Sequence, residues 1–290
     1  MGAIGGQAAA DGVWLRAMAA DDLPAAHALT DEIRWPHRPA DWEQVFRHGR
    51  GVVAERDGAV IGAGLRWRWG ARHATVGLVV VAPAAQGRRV GHRLMTALLS
   101  DLDGASVLLH ATAEGRGLYE RLGFVRTGEV RQHQGLALPA PLVALASGRR
   151  LRPASLADTE TLARLDERAR GMPRGALMAE FHAAAESVVV LDDEDRPCGF
   201  GMLRRFGRGH VIGPVVAPDA EGARALIAHL AGLNAGRFTR IDVDAASGLP
   251  EWLEGLGLQR VDAPVAMWRG PPPPADAQLR TWALATQALA

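Results

Sequence analysis

The chain carries, at residues 79–95, the stretch VVVAPAAQGRRVGHRLM. It begins with an apolar run that predicts a strand, passes through a short turn containing Gly87, and enters a helix. Successive backbone N–H groups converge at such a turn, and the helix dipole adds partial positive charge there. The stretch therefore predicts a site for a pyrophosphate group. Which ligand carries that group has to be inferred from the rest of the sequence.

The same pattern occurs a second time along the chain. Residues 80–89 (VVAPAAQGRR) align with residues 215–224 (VVAPDAEGAR). Three further landmarks recur in the same order, namely Leu15 with Leu151, Gly62 with Gly199, and Glu120 with Glu254. A repeat of this length predicts two copies of one domain rather than a solenoid of short units.

The repeat divides the chain into four segments. We predict a flexible tail over 1–12, a first domain over 13–147, a second over 148–270, and a spacer with a terminal segment over 271–290. The four consecutive prolines that follow Gly270 predict a stiff extended spacer. Residues 276–290 are then expected to form a helix with Leu279, Trp282 and Leu289 on its inner face.

Strand and helix signals alternate along the first copy. The Asp57-Gly58 pair between two apolar runs predicts a β-hairpin. Residues 92–102 predict an amphipathic helix, because leucines recur on one side. Two short strands, near 124–127 and 135–138, are expected to close the unit.

Composition excludes several classes of protein. A net charge of +1 gives no reason to expect a nucleic acid or a membrane surface as partner. The single cysteine, Cys198, excludes a disulfide framework, and the histidines lack metal-ligand spacing, so we predict no metal. Residues 1–12 lack the features of a signal peptide, which makes a cytoplasmic location the expectation. A homodimer is left open.

The order of elements, with the turn in the middle, resembles the GNAT superfamily of acyl-CoA-dependent N-acyltransferases. The family signature is Gln or Arg, two residues, Gly, one residue, then Gly or Ala. Gln86 and Gly91 match it, whereas Arg89 stands where the middle glycine is usual. That departure indicates a backbone conformation that an L-residue tolerates at this position. Taken alone, the motif also suits any strand–turn–helix unit.

A second motif, LYERLGF at residues 118–124, resembles the family's motif B. The family commonly uses a tyrosine there as general acid, and Tyr119 is the only tyrosine of the chain, against eight tryptophans. The alternative is an aromatic residue packed on an amphipathic helix. Together the motifs make residues 13–147 similar to a GNAT domain. The implied fold class is mixed α+β, with two tandem domains. Each would be a mostly antiparallel twisted sheet with a splayed central strand pair, flanked by helices.

The resemblance implies an enzyme in which the amine of a small-molecule acceptor attacks the thioester of acetyl-CoA directly. Tyr119 would protonate the leaving thiolate. The backbones of Val79 and Val81 would pair with the pantetheine arm, as an added strand does. The implied pyrophosphate and phosphate contacts are Gln86, Gly87, Arg88, Arg89, Val90, Gly91 and His92. Arg88, Arg89 and His92 also suit ordinary solvated surface charges.

The proton acceptor is less specified by the sequence. In the family, the loop between the first two helices and the last hairpin line the acceptor side. Here they carry His37 and His133, and a histidine titrates near neutrality. We predict that one of these two is the base. His110 either contacts the cofactor region or packs in the core.

The second copy keeps the fold signals but loses the chemistry. Glu221 replaces Gln86, Leu226 replaces Gly91, and Leu253 replaces Tyr119. A carboxylate repels phosphate, and a leucine fills the space that the pyrophosphate needs. We therefore predict a degenerate second domain. The alternatives for the whole chain are a non-catalytic acyl-CoA-binding module, an acetyltransferase acting on a protein N-terminus or lysine, and thiol-precursor biosynthesis, the last by architecture alone.

Overall fold

The computed structural model describes residues 12–274 and 276–290. Most of the predicted tail, residues 1–11, lies outside this range. The first copy contains, in chain order, β1 (Trp14–Ala17), α1 (Leu23–Glu32), α2 (Pro39–Phe46), β2 (Arg50–Arg56), β3 (Ala59–Trp69), β4 (His73–Val81), α3 (Val90–Leu99), β5 (Ser106–Ala111), α4 (Arg116–Arg121) and β6 (Val125–Leu136). The predicted hairpin joins β2 to β3, and Asp57 and Gly58 both have positive φ.

The second copy repeats this order and adds two strands. Its elements are β7 (Arg149–Pro153), α5 (Thr159–Arg170), α6 (Gly175–Ala184), β8 (Ser187–Asp193), β9 (Arg196–Phe206), β10 (Gly209–Ala217), α7 (Ala220–Leu233), β11 (Phe238–Asp244), α8 (Pro250–Gly255), β12 (Gln259–Asp262), β13 (Val265–Arg269) and β14 (Arg280–Ala283). The repeat seen in the sequence is therefore a repeat of structure.

The strands form two sheets that are joined through β6. The strand order is β1-β2-β3-β4-β5-β13-β6 in the first sheet, and it continues as β6-β11-β14-β10-β9-β8-β7 in the second. Pairing is antiparallel except between β4 and β5 and between β10 and β11. This confirms the predicted mixed α+β class with mostly antiparallel sheets.

The prediction of two separate closing strands in the first copy was wrong. Residues 125–136 form the single strand β6, which crosses from one sheet to the other. Residues 125–129 pair with β13, and residues 130–136 pair with β11. The first copy thus contributes part of β6 to the sheet of the second, and the second contributes β13 to the sheet of the first. The local sequence predicts strands, but it carries no information about which edge they join.

Burial follows from this exchange. Met267 of β13 is fully buried against the first copy, in the same cluster as Leu94 and Leu98 of α3. A second cluster combines Trp42 of the first copy with Phe181 and Phe200 of the second. The two copies therefore share their hydrophobic cores instead of meeting at a thin interface.

The predicted helix over residues 276–290 was also wrong. Residues 280–283 form β14, which inserts between β10 and β11 and hydrogen bonds to both. The inward positions were right, since Leu279, Trp282 and Leu289 are buried. Trp282 and Ala283 are buried one after the other in β14. A short apolar run of this kind does not by itself separate a buried strand from a buried helix.

Replacing Met267 tests whether the second copy completes the core of the first. We expect Met267→Ala to lower the free energy of unfolding by about 2–5 kcal/mol, the usual cost of a cavity at a fully buried methionine. Denaturant titration measures this change. Gln259→Ala, at an exposed position on the neighbouring β12, is the control and should stay within about 0.5 kcal/mol. Equal effects of the two substitutions would contradict the shared core.

Candidate functional site

The site is built on the parting of two parallel strands. β4 and β5 pair only at His73, Ala74 and Thr75, and beyond Thr75 they separate. A bulge in β4 places Leu78 and Val79 opposite Gly64 alone, and Leu78 has a φ of 53°. Positive φ is uncommon for leucine and marks a locally strained backbone. The bulge turns β4 away from β5 and leaves a cleft between them.

This cleft has a volume of about 920 Å³. Eight of the nine predicted cofactor residues line it, namely Val79, Val81, Gln86, Gly87, Arg89, Val90, Gly91 and His92. The ninth, Arg88, is exposed and does not belong to the lining that the described residues form. The strand and the turn singled out in the sequence therefore face one space.

The turn keeps a left-handed geometry although it lacks the usual middle glycine. Gly87 has a φ of 75° and Arg89 a φ of 60°, in the left-handed region. Such a conformation costs an L-residue about 1–2 kcal/mol. Arg89 is also the N-cap of α3, and no side chain caps the helix there. The N–H groups of the first turn of α3 are thus directed at the cleft without a side-chain acceptor, as an anion site requires.

Tyr119 lies on α4 and lines the same cleft. Its ring packs edge-on against Phe124, with ring centroids 6.1 Å apart. Burial raises the pKa of Tyr119 to about 12. The hydroxyl has no hydrogen-bond partner among the described residues, and at neutral pH it carries its proton.

In the second copy, the chain itself occupies the corresponding space. β10 and β11 also part after a short parallel pairing, at His210 and Val211. β14 lies in the gap and pairs with both strands. The indole nitrogen of Trp282 donates to the carbonyl of Ala217 at 3.0 Å, which ties β14 to the end of β10.

The glycine turn expected in the second copy is absent from its described residues. α7 begins at Ala220, so Gly222, the counterpart of Gly87, lies inside the helix. Asp219 is the N-cap, and its Oδ1 accepts from the N–H of Gly222 at 2.8 Å. Glu221 accepts from the N–H of Ala146. A carboxylate thus already occupies the helix N-terminus, where a phosphate would have to bind.

A second cavity of about 320 Å³ adjoins the cleft of the first copy. Five residues line both spaces, namely Trp35, Gly77, Leu78, His110 and Thr112. The remaining walls come from both copies, including Phe206, Arg208 and Arg240 of the second. The two cavities therefore meet at the bulge of β4. The cleft contains the candidate anion site, and the adjoining cavity of about 320 Å³ has the size of a small-molecule pocket.

Comparison with known families decides what this arrangement is. Two family models, each described as an acetyltransferase (GNAT) domain, match residues 31–139 and 162–280. The chain is a tandem GNAT acetyltransferase. Enzymes of this fold use acetyl-CoA, and the open cleft with its uncapped helix N-terminus fits that molecule.

Similar proteins are known from sequence and from structure. The uncharacterized N-acetyltransferase YitH of Bacillus subtilis (strain 168) is 27% identical over 196 residues, which is 67% of this chain and 68% of YitH. A putative acetyltransferase from Pyrococcus horikoshii superposes with a TM-score of 0.79 at 18% identity, over 98% of both chains. A tandem GNAT protein from the clavulanic acid biosynthesis pathway gives 0.65 at 16% identity, over 89% of this chain and 99% of its own. The two structural likenesses concern the fold.

The second cavity, of about 320 Å³, is called the acceptor-side cavity from here on. His37 lines it. Its ring packs edge-on against Phe206 at 5.4 Å, and its buried Nδ1 has no partner among the described residues. Burial, with a smaller contribution from Arg240, lowers the pKa of His37 to about 4. The expectation of a histidine that titrates near neutrality therefore does not apply here, and His37 is neutral at pH 7.

His133, the other predicted base, lines neither cavity formed by the described residues. It lies on β6, its ring is fully buried, and its Nδ1 is 2.9 Å from the carbonyl of Leu258. Its neighbours Gln132 and Gln134 line the acceptor-side cavity instead. Side chains alternate between the faces of a strand, so residue 133 points the opposite way from 132 and 134.

His110 is the histidine placed where the two cavities meet. Its Nδ1 lies 2.7 Å from the carbonyl of Gln287. A carbonyl only accepts, so Nδ1 carries the proton and Nε2 keeps a free lone pair in the neutral ring. Burial lowers the pKa of His110 to about 4. The position of His110 near the end of β5 was the sequence signal that it could lie near the cofactor. Its hydrogen-bond partner could not be found in this way, because Gln287 is 177 positions away.

Neither a membrane-spanning helix nor a metal site is found among the described residues. None of their helices is long and apolar enough to cross a membrane. No group of three or more His, Cys, Asp or Glu side chains among them is arranged to hold a metal ion. Trp42 and Trp67 are fully buried in the core of this part of the chain and do not line either cavity.

Substitutions at Gly91 test the anion site. An added Cβ would lie 3.5 Å from Leu118 and 3.7 Å from Val81, in ordinary contact, so Gly91→Ala is expected to retain acetyl-CoA binding. Gly91→Asp places a carboxylate in the first turn of α3, which the helix dipole favours but a phosphate opposes. We expect calorimetry to show one acetyl-CoA per chain for the wild type and none for Gly91→Asp. Binding by Gly91→Asp would contradict this site, and two sites per chain would contradict the closed cleft of the second copy.

Proposed function

We propose that the chain transfers an acetyl group from acetyl-CoA to the amine of a small acceptor, and that the first copy alone is catalytic. One observation carries this proposal. The open cleft of the first copy, with Tyr119 on its wall, is continuous with a second cavity at the bulge of β4. The cleft of the second copy is filled by β14.

The cleft residues divide the binding of acetyl-CoA among them. The backbone of β4 at Val79 and Val81 would pair with the pantetheine arm, because β4 no longer pairs with β5 beyond Thr75. The N–H groups from Gly87 to Gly91 would hold the pyrophosphate. Arg89 and His92, which line the cleft, would add charge-assisted hydrogen bonds.

Tyr119 serves as the general acid. The acceptor nitrogen forms a bond to the thioester carbonyl carbon while the carbon–sulfur bond breaks, and the sulfur leaves as a thiolate. The hydroxyl of Tyr119 gives its proton to that sulfur. The raised pKa of about 12 keeps this proton in place at neutral pH.

His110 serves as the proton acceptor for the attacking nitrogen. It borders both cavities, whereas His37 borders only one and His133 neither. Its Nε2 lone pair is free because Nδ1 donates to Gln287. With a pKa of about 4 it is a weak base, so it takes the proton as the new carbon–nitrogen bond makes the nitrogen more acidic.

Removal of the Tyr119 hydroxyl tests the acid. Tyr119→Phe is expected to lower kcat by about 10²–10⁴-fold, the usual contribution of a positioned proton donor. The affinity for acetyl-CoA should be nearly unchanged, because the ring and its contact with Phe124 remain. Steady-state kinetics and calorimetry measure the two quantities. An unaltered kcat would remove Tyr119 from the mechanism.

Replacement of His110 tests the base. His110→Asn keeps a donor for the carbonyl of Gln287 but loses the Nε2 acceptor, so kcat should fall by about 10²-fold or more with acetyl-CoA affinity retained. In the wild type, kcat/KM should rise with pH through the pKa of the acceptor amine. No inflection is expected at 6.5, the ordinary histidine pKa, because His110 is neutral above about 4. An inflection at 6.5 that disappears in His110→Asn would contradict the lowered pKa.

A further inference from the structure

The acceptor-side cavity carries unbalanced positive charge. Three arginines line it, Arg34, Arg208 and Arg240, against one carboxylate, Asp262. The two histidines of its lining, His37 and His110, are neutral at pH 7 because their pKa values are near 4. The charge of this cavity is therefore set by its arginines and by the carboxylates that pair with them.

Only one of these arginines has a carboxylate partner among the described residues. Arg240 is bound by Asp242 through both Nε and Nη2, at 3.1 and 2.7 Å, and its guanidinium lies 5.4 Å from the ring of Phe206. Arg34 and Arg208 form no ion pair with any described residue, and both are exposed. Counting Asp242 and Asp262, the cavity keeps one excess positive charge.

The two arginines without a carboxylate partner border the acceptor-side cavity and not the acetyl-CoA cleft. Neither Arg34 nor Arg208 lines the acetyl-CoA cleft, whereas His110 and Leu78 line both spaces. Arg34 follows α1 in the first copy, and Arg208 lies in the turn between β9 and β10 of the second. Each copy thus contributes one of the two arginines, and both border the acceptor-side cavity alone.

Size and walls limit the molecule that fits. The volume of about 320 Å³ lies at the lower end for small-molecule pockets, about 300–1,000 Å³. Trp35 and Phe206 give it aromatic walls, and Gln132 and Gln134 give it amide groups. An acceptor with an amine at one end, a short body and a group of single negative charge at the other end matches these features.

We propose that the acceptor is a free amino acid, whose carboxylate is held by Arg34 and Arg208 while its amine reaches the bulge of β4 beside His110. Guanidinium groups are suited to carboxylates, because their N–H groups match the two oxygens. One excess positive charge balances one carboxylate. This assignment rests on the proposed transferase function and specifies its substrate class.

Matched acceptors test the proposal on the full chain. Release of CoA from acetyl-CoA is measured with the twenty amino acids and, for each one accepted, with its primary amide, its decarboxylated amine and its aminophosphonate analogue. We expect kcat/KM for the amino acid to exceed that for the amide and the amine by about tenfold or more, the value of a charge-assisted hydrogen bond. A preference for the aminophosphonate would show that the cavity selects a phosphonate-like anion instead of a carboxylate, and it would overturn the amino-acid assignment.

Two variants locate the carboxylate. Arg208→Gln and Arg34→Asn should raise KM for the amino acid by about tenfold, while kcat and the kinetics of the amide stay unchanged. Asn is used at residue 34 because its φ is 62°, a value that asparagine tolerates. Arg205→Gln is the control, since Arg205 is exposed on the same hairpin, pairs with Glu186 and does not line the cavity. Equal losses with amide and amino acid would overturn the role of these arginines.

Binding measurements separate this proposal from the one on which it rests. If no amino acid is turned over, calorimetry with acetyl-CoA and then with amino acids in the presence of CoA gives the answer. Binding of acetyl-CoA without binding of any amino acid would overturn the acceptor class alone. Failure to bind acetyl-CoA would overturn the proposed transferase function itself.

Discussion

The structure depends on what satisfies the backbone where two parallel strands part. Each strand carries a row of N–H and C=O groups that need partners once they are removed from water. In the first copy, β4 and β5 separate after Thr75 and leave an open cleft. In the second copy, β10 and β11 separate in the same way, but β14 supplies the missing partners. The same fold therefore yields one open cleft and one closed core.

The second copy also completes the site of the first. Its β13 lies between β5 and β6, so the strand that carries His110 is held in place by a neighbour from the other repeat. The chain beyond β14 returns to the bulge of β4, where Ala288 lies so near Gly77 that any side chain there would collide with it. The adjoining Gln287 carbonyl fixes the tautomer of His110. The second copy thus positions groups that line the cleft of the first.

Much of the candidate site could be predicted because its signals are local. The glycine turn, the helix that follows and Tyr119 lie in two short motifs, and the structure places all of them on one cleft. The histidines were harder to assign. Whether residue 133 faces the cavity depends on the register of β6 across two sheets, and the pKa of His37 depends on burial that only packing creates.

The sequence by itself determined the order of most elements, the two copies, the motifs of the first and their loss in the second. These properties depend on residues close together along the chain, where turn, helix and strand preferences act. The tertiary structure alone decided which strands each sheet exchanges, that residues 280–283 form a strand filling the second cleft, and which histidine borders both cavities. Such features depend on contacts between residues far apart along the chain, as between His110 and Gln287, which are 177 positions apart, and no local preference encodes them.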